Sequence, residues 1–238
     1  MSTGEADRDR IPVRGVRERT AAAMVRSAFT APHVTTWLRA DVTAMTELVT
    51  RLRGLTGLAG VRISPLLPVA KALLVTAGRN PLINSSWDEA AQEIVVRRQV
   101  NLGVATAVEH GLVVPNVKGA DRLPLPELAR ALAELTATAR AGRASPHDLS
   151  GGTITITNVG VFGIDGGTPI LTPGESVILA LGRIRDTPWM HRGEIVIRRV
   201  ATLALSFDHR VMDGELGSVV LREIGAMLED PALMFART

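Results

Sequence analysis

Residues 206–217, SFDHRVMDGELG, set His209 between Asp208 and Arg210, with Asp213 and Gly214 four and five positions further on. An imidazole can take a proton from a hydroxyl or a thiol near physiological pH, so a histidine with carboxylates at −1 and +4 is a candidate general base. His209 lies where a long apolar segment ends and a glycine-started helix begins, a place where rigid elements can aim a side chain into a cleft. Asp208 and His209 are neighbours, so in an extended chain they point to opposite faces and suit a shared metal ion poorly. Composition and spacing leave a catalytic base and a structural histidine both open. The remaining histidines say less, and no two of the five stand at metal-ligand spacing. His110, His147 and His191 fall in turn-like contexts and read as exposed, and His33 starts a strand.

A second stretch, NVGVFGIDGG at 158–167, is glycine-rich after a strand. A phosphate-cradling loop would follow its glycines with Lys-Ser/Thr and a helix; here TPILTPGE follows, with two prolines, so the glycines read as turn formers. The totals narrow the field further. With 238 residues and 46% hydrophobic content the chain can bury a sizeable core. A net charge of +3, 3% aromatics and no tyrosine lack the basic face and stacking rings of a nucleic-acid binder. No cysteine means no disulfide, no thiolate nucleophile and no cysteine-held metal. The opening MSTGEADRDRIPVRG is polar rather than signal-like, and the longest apolar segment, 65–78, is too short to span a bilayer and contains Lys71. A cytoplasmic protein fits these features.

The elements that must position these residues follow from periodicity. Residues 14–30, 44–55, 64–78, 124–142 and 213–230 read as helices. Within them, Val16, Ala23, Met24 and Ala28 mark the apolar face of the first, Ser64 and Pro65 start the third, and Gly142 ends the fourth. Segments 32–43, 93–108 (broken by a kink or turn), 111–117, 151–160, 175–184 and 194–208 read as strands, the last unusually long. Strands come in clusters rather than in strict alternation with helices, which predicts a single α/β domain with a large mixed β-sheet and packed helices. Residues 1–10 read as a disordered leader or linker end, and 11–238 as the domain.

The string His209-Arg210-Val211-Met212-Asp213-Gly214 resembles the H-R-x-x-D-G signature of the dihydrolipoamide acyltransferases, the E2 cores of 2-oxo acid dehydrogenase complexes; chloramphenicol acetyltransferase has a related H-x-x-x-D-G. The resemblance continues, in order, through IPVRGVRERTAAAMVRS and APHVT, NPLINSSWDE (80–89), VNLGVATAVEHGLVVPNVKGAD (100–121), LSGGTITITNVGVFG (149–163) and TPILTPGESVILALG (168–182). It covers about residues 11–236 and implies a chloramphenicol acetyltransferase-like fold. It also implies roles. His209 would be the general base, and Thr157 would donate to the oxyanion where serine is the common residue. Asp213 would order the histidine's turn, with Arg17 or Arg19 as its partner. Arg53, Ser64, Thr157, Asn158 and Gly182 would contact coenzyme A. No metal is implied.

The family's assembly implies a homotrimer with active sites between subunits, built into a cubic or icosahedral core and served by E1 and E3 dehydrogenase components. The lipoyl group would come from a domain not visible here, since Lys71 and Lys118 are the only lysines and neither suits a lipoyl hairpin. No subunit-binding domain is visible either. Two blocks, 11–35 and 157–182, look most like the branched-chain type, with Val159, Val161, Phe162, Ile170 and Leu171 as candidates to line an apolar acyl pocket. The alternatives are an acetyl-transferring core of pyruvate dehydrogenase, a stand-alone acetyltransferase, and a non-catalytic scaffold.

Overall fold

The segment 194–208 organises the chain, and the computed structural model describes residues 8–109 and 111–236. The elements in order are α1 (Val16–Thr30), β1 (His33–Asp41), α2 (Thr43–Arg53), α3 (Leu66–Arg79), β2 (Ser85–Asp88), β3 (Glu93–Val96), β4 (Leu102–Val104), β5 (Thr106–Val108), β6 (Gly111–Val113), β7 (Asn116–Val117), α4 (Leu125–Arg140), α5 (Pro146–Leu149), β8 (Ile154–Asn158), β9 (Val177–Leu181), β10 (Arg185–His191), β11 (Glu194–Asp208), α6 (Gly214–Glu229) and α7 (Leu233–Ala236). A seven-stranded mixed sheet runs β1-β11-β9-β8-β4-β7, with β10 paired to β11. β8 is parallel to both β9 and β4, while β11 is antiparallel to β1, β9 and β10.

Alternation explains how the sheet takes its helices. Ala201, Leu203, Leu205 and Phe207 of β11 join Leu179, Leu181, Ile154, Ile156 and Leu102 in one buried apolar layer. The helices close over that layer: α6 contributes Val220, Leu221, Ile224 and Leu228, spaced to share one face. Gly217 lets α6 approach, since a Cβ there would stand 2.5 Å from the Phe207 ring. The opposite face of β11 shows Thr202, Ala204 and Ser206. There the Ser206 and Thr35 hydroxyls share a 2.7 Å hydrogen bond across the strands, and Trp37 of β1 donates its indole N–H to the Gly167 carbonyl of the covering 159–174 loop.

The expected mixed α/β architecture stands, with local differences; β2, α5 and α7 are elements the sequence did not announce. The segment 185–191 is a strand, because β10 is an edge partner that tolerates Pro188 and because Arg192 and Gly193, at φ 52° and 86°, make the tight turn that pairs His191 with Glu194. α1 buries Ser27 alone; Ala28 is exposed, and Phe29 is 85% exposed. α3 begins at Leu66, so Pro65 precedes it, and the Ser64 hydroxyl accepts from the Leu66 N–H at 3.3 Å. No helix among the described residues is long and apolar enough to cross a membrane.

Candidate active site

His209 sits just past the end of β11. Its backbone N–H extends the ladder by donating to the Pro32 carbonyl at 2.9 Å, and Val211 and Met212 fold back to donate to the Asp208 carbonyl at 3.0 Å. Asp213 closes the turn by capping α6, its carboxylate accepting from the Leu216 N–H at 2.8 Å. Neither Arg17 nor Arg19 pairs with Asp213; the arginine that orders this turn is Arg210. Its guanidinium meets the buried Asp208 carboxylate through Nε and Nη2 at 3.0 and 2.7 Å, and reaches Glu89 at 3.1 Å. It also stacks over Trp87 at 5.3 Å, and Trp87 donates to the same Glu89 carboxylate at 2.7 Å. A hairpin more than a hundred residues away therefore braces the histidine, which local spacing in the sequence could not reveal.

The two histidines at the ends of paired strands differ in what they have left to give. His33 has both ring nitrogens engaged: Nε2 accepts from the Leu171 N–H at 3.0 Å, which leaves Nδ1 to donate to the Ala31 carbonyl at 2.7 Å. With Ser27 donating to the Leu171 carbonyl at 2.7 Å, His33 fastens α1 to the loop before β9. The exposed His209 imidazole makes no hydrogen bond among the described residues, and its nearest ring neighbour is Phe207 at 6.2 Å. His147 is exposed and His191 half-buried, while His110 lies outside the described residues.

Thr157 is also uncommitted. Its hydroxyl has no hydrogen-bond partner among the described residues, and it faces a cavity of about 560 Å³ shared with Ser64 and Asn158. Leu66, Leu67, Val161 and Phe162 supply apolar wall, and Arg62 and Arg140 also line the cavity. Of the expected pocket residues, Val161 and Phe162 are there; Leu171 is buried beside His33, and Val159 and Ile170 lie off the cavity. Arg53 is not part of it. Its guanidinium donates twice to the Ile63 carbonyl, at 2.9 and 2.8 Å, and so braces the strand of chain leading to Ser64. Gly182 is sealed under the 159–165 loop, where a Cβ would come within 2.0 Å of the Asp165 carbonyl oxygen.

Within one chain, His209 and Thr157 are far apart. Thr157 pairs with Ala180, and Ala180 with Ala204, five positions short of His209. Five residues of strand and two strand spacings amount to about 17 Å along the sheet and about 10 Å across it. The sheet thus holds them about 20 Å apart.

Glu175 was not singled out by its sequence context. It is 6% exposed, its Oε2 accepts from the Thr155 hydroxyl at 2.6 Å, and a Cβ on Gly152 would stand 2.7 Å from its Oε1. Burial pushes its carboxyl up to about 8, against the opposing pull of the Thr155 hydrogen bond.

A family model for the 2-oxoacid dehydrogenases acyltransferase (catalytic domain) matches residues 5–236. Among curated proteins, the chain is 36% identical over 231 residues, 97% of its length, to the dihydrolipoyllysine-residue acetyltransferase component of the pyruvate dehydrogenase complex of Bacillus subtilis. It is 37% identical over 228 residues, 94% of its length, to the corresponding component of the acetoin cleaving system of that organism. The chain spans about half the length of these relatives, 52% and 56%. Among solved structures, Azotobacter vinelandii dihydrolipoamide acetyltransferase has a TM-score of 0.91 at 28% identity, covering 97% of this chain and 95% of that one; it was studied for the roles of a serine, a histidine and an asparagine in its catalytic mechanism. The cubic core of a pyruvate dehydrogenase multienzyme complex has a TM-score of 0.89 at 27% identity, with 97% and 95% covered. Chloramphenicol acetyltransferase, at 14% identity and a TM-score of 0.58 over 92% and 98% of the two chains, shares the fold.

Proposed function

This chain belongs to the family of 2-oxoacid dehydrogenase acyltransferase catalytic domains, and we propose that it moves an acetyl group between the thiols of dihydrolipoamide and coenzyme A. One observation carries the assignment of residues. The serine, histidine and asparagine studied in the Azotobacter enzyme are spaced by 52 and 4 residues, the spacing of Thr157, His209 and Asp213 here. The hydroxyl is kept with an added methyl, and an aspartate stands where that enzyme has asparagine. The pyruvate dehydrogenase and acetoin relatives support acetyl as the acyl group, in place of the branched-chain groups expected from the sequence blocks.

In this reading the neutral imidazole of His209 takes the proton from the attacking thiol. The thiolate adds to the thioester carbonyl, whose oxygen becomes an oxyanion that accepts a hydrogen bond from the Thr157 hydroxyl. Collapse restores the carbonyl and expels the other thiolate, which recovers the proton from the imidazolium. Both side chains are free for these tasks, and the separation of about 20 Å within one chain requires that they meet across an interface between two copies. The assembly proposed here is a homotrimer with three shared sites, built into a larger core served by E1 and E3 components; the cubic core of one relative supports the larger core.

Mixing chains tests this. His209→Ala and Thr157→Ala, each inactive alone, are refolded together in equal amounts. Random mixing leaves about one quarter of the interfaces with both residues intact, so about that share of wild-type activity should return. Mixed trimers confirmed by native mass spectrometry but without recovered activity would place the whole site in a single chain.

A further inference from the structure

We infer that Asp165, held between Arg183 and Arg185, is a positioning residue that sets the acyl-chain preference of the site by fixing Val161 and Phe162 in the wall of the Thr157 cavity. The inference rests on the acyl-transfer reading above and adds to it three residues that line no part of that cavity. Thr157 and Asn158 lead straight into the 159–165 loop, which brings Val161 and Phe162 back to the same cavity. Those two side chains are 66% and 68% exposed and stand outside the buried core, so their place is set by the loop backbone more than by packing. The loop lies across the end of β9. Its entry is pinned by the Val159 N–H, which donates to the Leu181 carbonyl at 3.0 Å, and its exit by the Arg183 N–H, which donates to the Ile164 carbonyl at 2.8 Å. Gly160 permits the approach, since a Cβ there would stand 2.6 Å from the Gly182 carbonyl oxygen. Asp165 clamps the exit. Its Oδ1 accepts from Arg183 Nε at 3.1 Å and its Oδ2 from Arg185 Nη1 at 3.0 Å. One carboxylate thus ties the loop to the end of β9 and to the first residue of β10. Further on the chain has separate anchors, Trp37 on the Gly167 carbonyl and His33 on the Leu171 N–H, so Asp165 acts on the 159–165 half. The network is open to water, with 54% of the Asp165 side chain exposed, so it adds little to global stability and is sensitive to salt. An apolar wall sorts acyl groups by size only while it cannot retreat; freed at its exit, it would admit a branched group.

The test compares acetyl-CoA with isobutyryl-CoA as donors to free dihydrolipoamide, using the assembled protein. Both donors carry the same nucleotide, so the effect of salt on its phosphates cancels in the ratio of their kcat/KM values. Asp165→Asn should cut the wild-type preference for acetyl about fivefold, the scale of one exposed charge network. Arg183→Gln combined with Arg185→Gln should do the same, and Asp165→Glu should keep most of the preference. Raising sodium chloride from about 0.05 M to about 0.5 M should relax the wild-type preference and leave that of Asp165→Asn where it is. Hydrogen exchange reads the clamp without turnover: the Gly163 and Arg183 amides, bonded to the Gly160 and Ile164 carbonyls, should exchange faster in Asp165→Asn while the amides of β9 keep their protection. Unchanged exchange would overturn the clamp. An unchanged ratio, an equal loss for both donors, or an active wild type without a preference for acetyl would each overturn the role in selectivity while leaving acyl transfer standing. A wild type that transfers neither acyl group would refute the acyltransferase reading and the acyl preference with it.

Discussion

Replacing Glu175 with glutamine should tilt the pH dependence of stability. The carboxyl is 6% exposed, is packed against Gly152 and Thr155, and has its pKa pushed from 4.5 to about 8 by burial. Between those two values the folded chain holds a proton that the unfolded chain releases, so stability falls as pH rises. The contribution is fully present below the unfolded value, declines through the window, and is flat above about 8. The slope is about 1.4 kcal/mol per pH unit, so wild type should lose up to about 2.7 kcal/mol between about pH 5.5 and 7.5 from this group. Glu175→Gln keeps an oxygen to accept from Thr155 and cannot ionise. Urea unfolding of both proteins at one chain concentration, at half-unit steps across this range, gives the difference between their stabilities. That difference cancels titrations common to both. Asp41, Asp148 and Asp165, held below their ordinary value, lose their contributions only at lower pH. The glutamine variant should gain on wild type steadily as pH rises. Parallel curves would mean that Glu175 ionises normally and that water reaches it beside Thr155.

Three further outcomes follow from the same geometry. His209→Ala should lower turnover by about two to four orders of magnitude with the fold retained by circular dichroism, the usual yield of a positioned base; Thr157→Ala should cost about two to three orders, and Thr157→Ser little, because the hydroxyl is what the oxyanion needs. With dihydrolipoamide as acceptor, kcat/KM should rank acetyl-CoA above isobutyryl-CoA, with roughly tenfold discrimination as the scale for one or two carbons; the reverse ranking would restore the branched-chain assignment. Gly217→Ala should destabilise the chain by about 1–3 kcal/mol in denaturant unfolding, as overpacking does, because its Cβ would enter the Phe207 ring.

What could be read in advance was local and periodic. The alternation over 194–208 and 151–160, the helical spacing of 124–142 and the aspartate at the start of the last helix all became the elements they suggest. What could not be read depended on partners distant in sequence. Nothing in the surroundings of Arg53 announces that the Ile63 carbonyl, ten residues on, will take its guanidinium. The strand at 185–191 was not read from the sequence: its Pro188 fits only an edge strand, and the sequence does not say which strand becomes an edge. Glu175, within a proline-glycine turn, gave no sign that β8 would bring Thr155 over its carboxyl. The motif residues Thr157 and His209 were legible as types, but their relation was not. Only the order β11-β9-β8, with β11 antiparallel to the other two, puts one near the far end of the sheet and the other past its near end. Because a paired sheet cannot be folded to close that distance without breaking its ladder, the proposed chemistry between these two side chains would be chemistry between two chains, and selection on the site would then be selection on the interface as well.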